Sequence, residues 1–438
     1  MAGAASDKLG LYISIPFCRS KCTYCNFASG VYPASEHVRY VDRLIEDLAA
    51  TGAWAARIGV GLPGTVDTIY LGGGTPSLLE PPLIARLFAA VNREFAVEPG
   101  AEITVECAPG QFADGTLEAM ASVGVNRVSL GVQTFIDREA QVSGRLHSRA
   151  VVLEDLRRLR AVGISNLNVD LIAGLAGQSF SSWDESLDVL VDTGVPHASV
   201  YMLEVDEDSR LGREMLAGGA RYYAGLVPED DAIARMYETA VERLAGAGLR
   251  QYEISNFGRR GFQSRHNLRY WERRPYLGLG LDASSMLREE GRDGSGYVLR
   301  STTTDDLKAY LGDPEPGTGL GPWGGEPAET AWLSPERQHE EAWFVGLRLN
   351  SGVKLAALRR EFGREPVAQA LAAVERLVED EMLTSDAKTV RLTARGRLLS
   401  NDVFQEFLGV AEIADAARVP RAQGEAHQVR AAKEDIHR

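Results

Sequence analysis

Three of the chain's four cysteines, Cys18, Cys22 and Cys25, fall in one short segment, IPFCRSKCTYCNF. A C-x₃-C-x₂-C loop can wrap three thiolates around one metal group, and thiolates are the ligands that iron–sulfur clusters take. Three protein thiolates on a four-iron cluster leave one iron open to a small molecule. That iron can chelate the amino and carboxylate groups of S-adenosylmethionine and pass one electron to its sulfonium, releasing a 5′-deoxyadenosyl radical. A structural zinc site would want a fourth Cys or His in a matching pair, and none lies nearby. Cys107 stands apart and reads as a small buried residue.

Such a loop needs a rigid frame. From about Leu11 to Ser255 short β-branched runs (LYISIP, TIYLGG, EITVEC, RVSLGV, NLNVDLI, ASVYMLE) alternate with longer amphipathic stretches such as HVRYVDRLIEDLAA and PLIARLFAAVNREF. Repeated βα units predict a parallel sheet with crossover helices, and about six of them a closed or partial TIM-like (β/α)6 barrel. Chemistry in such barrels sits where strands run into helices. The cysteine loop follows the first strand, and Leu71-Gly72-Gly73-Gly74-Thr75-Pro76 follows the second. Consecutive glycines there let backbone groups approach a ligand closely. Glu106 ends the third strand, Gln133 the fourth, Asp170 lies in the fifth, and Arg145 is on the connection between the last two. Together they offer one rim groups suited to ribose hydroxyls, an amino group and a carboxylate.

The segment GDPEPGTGLGPWGGEP is too rich in Gly and Pro for regular structure and reads as a linker. Beyond it, three helical patterns and a small β element predict a winged-helix-like α+β domain. The expected division is a barrel over 1–260, an extension with the linker over 261–328, the C-terminal domain over 329–413 and a charged flexible tail over 414–438.

A net charge of -14 speaks against sequence-independent nucleic-acid binding, and the balanced charges of the C-terminal module give it no DNA-reading footprint. No apolar run is long enough to span a membrane and no leader pattern opens the chain, so the expected location is cytoplasmic. Peripheral membrane contact and a homodimer stay open.

Taken together, YISIPFCRSKCTYCNF, YLGGGTPSLL, RVSLGVQTF, NVDLIAGL, YEISNF, SRHNLRYW and LTARGRLLSNDVFQEFL resemble the oxygen-independent coproporphyrinogen III oxidase family of the radical S-adenosylmethionine (radical SAM) superfamily. The resemblance runs from Leu11 to about Leu408. It implies a [4Fe-4S] cluster on Cys18, Cys22 and Cys25, and S-adenosylmethionine contacts at Tyr12, Tyr24, Gly73, Gly74, Thr75, Glu106, Gln133, Arg145 and Asp170. The chain departs from the family pattern at Ser14, where His is usual, at Glu106-Cys107-Ala108-Pro109, and at Asp282-Ala283-Ser284-Ser285.

Two places separate the family's activities. The dehydrogenases carry a fourth cysteine two residues after the third, where this chain has Phe27, and they lack H-N-x-x-Y-W, present here as His266, Asn267, Tyr270 and Trp271. Both features resemble the HemW-type haem chaperones, which bind haem as cargo and pass it to haem-requiring proteins. The resemblance thus implies a haem carrier without coproporphyrinogen dehydrogenase activity. His266 could ligate haem iron, and Tyr270 and Trp271 offer flat faces for the macrocycle, whereas the residues alone read as aromatic packing beneath a loop with a hydrogen-bonded histidine. The competing expectation is radical-driven oxidative decarboxylation of coproporphyrinogen III.

Overall fold

A computed structural model describes residues 8–290, 296–312 and 329–409. The described residues divide into two compact units, the first reaching to Trp332 and the second beginning at Leu333, with 296–297 joining the second.

The first unit is built on six parallel strands, β1 (Leu9–Ile15), β2 (Thr65–Gly73), β3 (Ala96–Cys107), β4 (Arg127–Gln133), β5 (Asn166–Ala173) and β6 (His197–Met202), paired in sequence order. Helices cross over between them, among them α1 (Ala34–Ile58) and α2 (Pro81–Glu94). Gly59, left-handed at φ 77°, ends α1 by donating its N–H to Ala55 O, and prolines open α2 where their missing N–H costs nothing. This is the expected partial radical SAM barrel.

The period of two along each strand divides the sheet into two faces. Leu11, Ile13, Ile69, Leu71, Val105, Val128, Leu130, Val169, Leu171 and Val200 are buried on one of them. The alternate positions carry Tyr12, Thr68, Tyr70, Thr104, Glu106, Ser129, Asn168, Asp170, His197 and Ser199, a face of polar groups that must satisfy one another. Asn168 does much of this, donating to Ser129 Oγ at 2.7 Å and Asp170 Oδ1 at 2.6 Å while its Oδ1 lies 2.6 Å from His197 Nδ1.

The sheet extends further than the apolar runs suggest, to twelve strands. Tyr276–Leu279 adds in parallel beside β1, followed by antiparallel Ser284–Arg288 and Val298–Thr302, and Asn256–Gly258 adds antiparallel beside β6. These strands have five residues or fewer, too short for alternation to identify.

The second unit has helices Pro335–Leu347, Leu355–Phe362 and Arg364–Glu379 and a three-stranded antiparallel sheet, the winged-helix-like arrangement. Trp343 anchors it, fully buried and stacked on Phe407 with centroids 5.0 Å apart. Two short helices follow the sheet, Ala394–Leu398 and Ser400–Gln405, the first capped by Thr393 Oγ1. The Gly/Pro-rich linker and the charged tail lie outside the described residues.

Candidate functional site

The cysteine loop leaves β1 and is closed by backbone bonds, Cys18 N–H donating to Gly30 O at 2.8 Å and Gly30 N–H to Pro16 O at 2.9 Å. Thr23 N–H donates to Ser143 O at 3.1 Å, and Leu211 N–H donates to Thr23 O at 2.8 Å, so neighbouring loops grip its middle. All three thiols are free of disulfides. Burial pushes the Cys18 and Cys25 thiols up. Among the described residues no three His, Cys, Asp or Glu side chains are already closed around a single-ion point.

The glycine run serves this loop directly. Gly74 N–H donates to Ile15 O at 3.0 Å and Thr75 N–H to Phe17 O at 2.8 Å. A Cβ on Gly74 would stand 2.7 Å from Ile15 O and 2.9 Å from Phe17 N, so only glycine lets the two backbones meet. Thr75 Oγ1 reaches Cys18 Sγ at 3.8 Å. Gly73, at φ 96°, donates its N–H to Glu106 Oε2 at 3.1 Å.

The rim residues come together as expected from their strand positions. Glu106 Oε1 accepts from Tyr70 OH at 2.7 Å. Burial, reinforced by Asp170, pushes the Glu106 carboxyl up to about 7. Asp170 accepts from Ser129 Oγ at 3.0 Å, and burial raises it too. Gln133 sits at a register shift in β4 with φ 71°, a left-handed backbone that a non-glycine residue rarely adopts. Arg145 folds back so that its Nη2 donates to Gly131 O at 2.7 Å, where a Cβ on Gly131 would collide with it. Burial acts to lower the guanidinium, while the surrounding Tyr24, Cys22 and Asp170 act to raise it, and the net shift is upward. Tyr24 lies against the same cluster, its hydroxyl pushed up by burial. Tyr12 stacks on Tyr70 at 6.1 Å, as their paired positions in β1 and β2 require.

This donor set fits the two groups the sequence motifs imply. Three free thiols share one loop, and the buried Gln133 Oε1 and Arg145 Nε have no hydrogen-bond partner, leaving capacity for a polar ligand at the rim. Bound there, such a cluster would supply single electrons to the sulfonium of S-adenosylmethionine. The chain's own part is to hold the three thiolates, present two carboxylates and one guanidinium at fixed places, and keep them part-shielded from water.

The H-N-x-x-Y-W residues lie elsewhere. Helix Arg265–Trp271 packs at the opposite, N-terminal ends of the first strands, with His266 N–H donating to Glu102 Oε1 at 2.9 Å. Arg269, fully buried, pairs with Asp67, which also takes Arg274 Nη2 at 2.9 Å. His266 is fully buried, with Nδ1 2.9 Å from Thr68 Oγ1 and Nε2 2.8 Å from Tyr270 OH. Burial lowers it to about 3, so it is neutral. In this conformation both ring nitrogens are engaged within the protein. Tyr270 meets His266 edge-on at 5.1 Å and Trp271 lies beside Tyr270 at 6.3 Å, while Asn267 N–H caps back to Ser264 Oγ at 3.3 Å. The helix therefore forms a floor of the barrel, at the end opposite the rim.

Sequence reasoning did not single out Tyr70, Thr68 or Ser129. The signal was available in TIYLGG, where Thr68, Tyr70 and Gly72 alternate with Ile69 and Leu71 and so share the polar face.

Residues 12–190 match the model of the Radical SAM superfamily, and residues 333–399 match that of the HemN C-terminal domain. The protein described as "Heme chaperone HemW" of Lactococcus lactis is 32% identical over 397 residues, 91% of this chain and 96% of that one. Its namesake from Bacillus subtilis is 31% identical over 91% of this chain and 98% of its own. Among solved structures, coproporphyrinogen III oxidase (HemN) from Escherichia coli superposes with a TM-score of 0.75 at 21% identity, covering 93% of this chain and 91% of that one, which establishes the shared fold. The chain belongs to the radical SAM superfamily and, within it, to the family of the HemW heme chaperones.

Proposed function

We propose that this protein is a haem chaperone that binds haem as cargo, holds a [4Fe-4S] cluster on Cys18, Cys22 and Cys25, binds S-adenosylmethionine at the rim, and delivers haem to acceptor proteins in the cytoplasm. The observation that carries the reading is Phe27. The position where the dehydrogenases of this fold have a fourth cysteine holds a phenylalanine 53% exposed on the cluster loop, in a chain about a third identical to HemW proteins along almost their full length. Among the described residues no helix is long and apolar enough to cross a membrane. With His266 engaged by Thr68 and Tyr270, iron ligation through its ring requires helix Arg265–Trp271 to loosen from the barrel floor. Anaerobic reconstitution followed by haem titration of the wild type and His266→Ala tests the proposal. Saturable binding supports it, and a wild type without a saturable Soret change refutes it. Loss of binding in His266→Ala assigns the ligand to the floor helix, and retention assigns it elsewhere.

A further inference from the structure

Tyr70 touches both the floor helix and the rim. The Tyr70 ring has Tyr12 on one side, centroids 6.1 Å apart at 28°, and His266 as a second stacking neighbour at 5.3 Å and 30°. Its hydroxyl donates to Glu106 Oε1 at 2.7 Å, and the other carboxylate oxygen accepts Gly73 N–H at 3.1 Å. The carboxylate also lies against bare backbone, since a Cβ on Gly72 would be 2.9 Å from Glu106 Oε2. His266 in turn is fixed by Thr68, Tyr270 and Glu102. The column His266, Tyr70, Glu106 thus runs from the N-terminal to the C-terminal end of the strands, with every member held on more than one side.

We infer that His266 and Tyr70 are positioning residues for the Glu106 carboxylate, so that the floor helix sets the affinity of the rim for the amino group of S-adenosylmethionine. This rests on the reading of Glu106 as an S-adenosylmethionine contact, and assigns it to the amino group because a carboxylate pairs best with an ammonium. A carboxylate receiving a cation gains only if it is already oriented, because the cost of ordering it would otherwise be taken from binding. The Tyr70 hydroxyl supplies that orientation, and its hydrogen bond strengthens when the carboxyl ionises against an incoming cation. Burial pressing on the Glu106 carboxyl makes its two donors matter more.

The test is S-adenosylmethionine binding by calorimetry on the full-length, anaerobically reconstituted protein, paired with the change in the reduced cluster's EPR signal on adding S-adenosylmethionine. The variants are Glu106→Gln, Tyr70→Phe, His266→Gln and the Tyr70→Phe/His266→Gln double. Tyr70→Phe keeps the ring stack and loses only the hydroxyl, and is expected to weaken binding about tenfold. His266→Gln is expected to weaken it several-fold in the wild-type background and by nothing further in Tyr70→Phe, since its effect passes through the missing hydroxyl. Should His266→Gln not fold, Thr68→Val, which frees the His266 Nδ1, replaces it in the same cycle. Losses that multiply independently overturn the inference, as does unchanged affinity in His266→Gln while Glu106→Gln binds weakly. Unchanged affinity in Glu106→Gln overturns the Glu106 reading itself and the inference with it. Haem titration is a separate measurement and is decided by neither result.

Discussion

Thr75 N–H donates to Phe17 O at 2.8 Å, which ties the end of the glycine run to the residue preceding the first cysteine. The cluster loop is therefore shaped by the turn after β2 as much as by its own sequence. Gly74→Ala places a methyl 2.7 Å from a carbonyl oxygen that belongs to the β1 backbone and has nowhere to go. Overpacking of this kind costs about 1–3 kcal/mol. The expected outcome is a lower thermal midpoint together with reduced iron and sulfide content after reconstitution. Normal iron content would show that the loop does not depend on this contact.

Gln133 offers the opposite trade. Its left-handed backbone costs an ordinary residue about 1–2 kcal/mol, and its Oε1 has no partner inside the protein. Gln133→Gly should raise stability by about 1 kcal/mol in chemical denaturation while weakening S-adenosylmethionine binding, since strain tends to be kept where a side chain serves a ligand. A variant that loses stability would mean the side chain is structural.

His266 and His197 are buried and neutral, held below their ordinary value by burial, His266 to about 3. Their unfolded counterparts take up a proton below about pH 6.5. The unfolded state then binds more protons than the folded one, so the contribution is intact above pH 6.5 and lost as the pH falls towards 3. The slope is on the order of 1.4 kcal/mol per pH unit for each histidine. Urea unfolding at pH 7 and pH 5 should show a smaller difference for His266→Gln than for the wild type. Parallel losses in the two proteins would contradict the buried, neutral assignment.

Phe27 is solvent-exposed on the cluster loop. Phe27→Ala should change stability by less than about 0.5 kcal/mol and leave iron content unchanged, as checked by thermal denaturation and metal analysis. A loss of iron would give this position a part in holding the cluster.

The six main strands, the rim residues and the cysteine loop were legible because each has a local signature: β-branched runs, residue type at strand ends, thiols at close spacing. The edge strands were not, since Tyr276–Leu279 and Asn256–Gly258 take their strand character from neighbours rather than from their own composition. Nor was the setting of His266. Its residue type allows iron ligation, but only the tertiary pairing of Thr68 and Tyr270 with its two nitrogens shows that they are already engaged. Tyr70 escaped notice for a similar reason, because its partner Glu106 is 36 residues away and the contact depends on β2–β3 register.

Carrying haem and oxidising a porphyrinogen leave different signatures in one sample. The most direct measurement is haem titration of the anaerobically reconstituted wild type, run beside a coproporphyrinogen III turnover assay on the same sample with S-adenosylmethionine and reductant. The expected result is a saturable Soret change and no protoporphyrinogen. No saturable haem binding, or protoporphyrinogen formed in step with S-adenosylmethionine consumption, would contradict it.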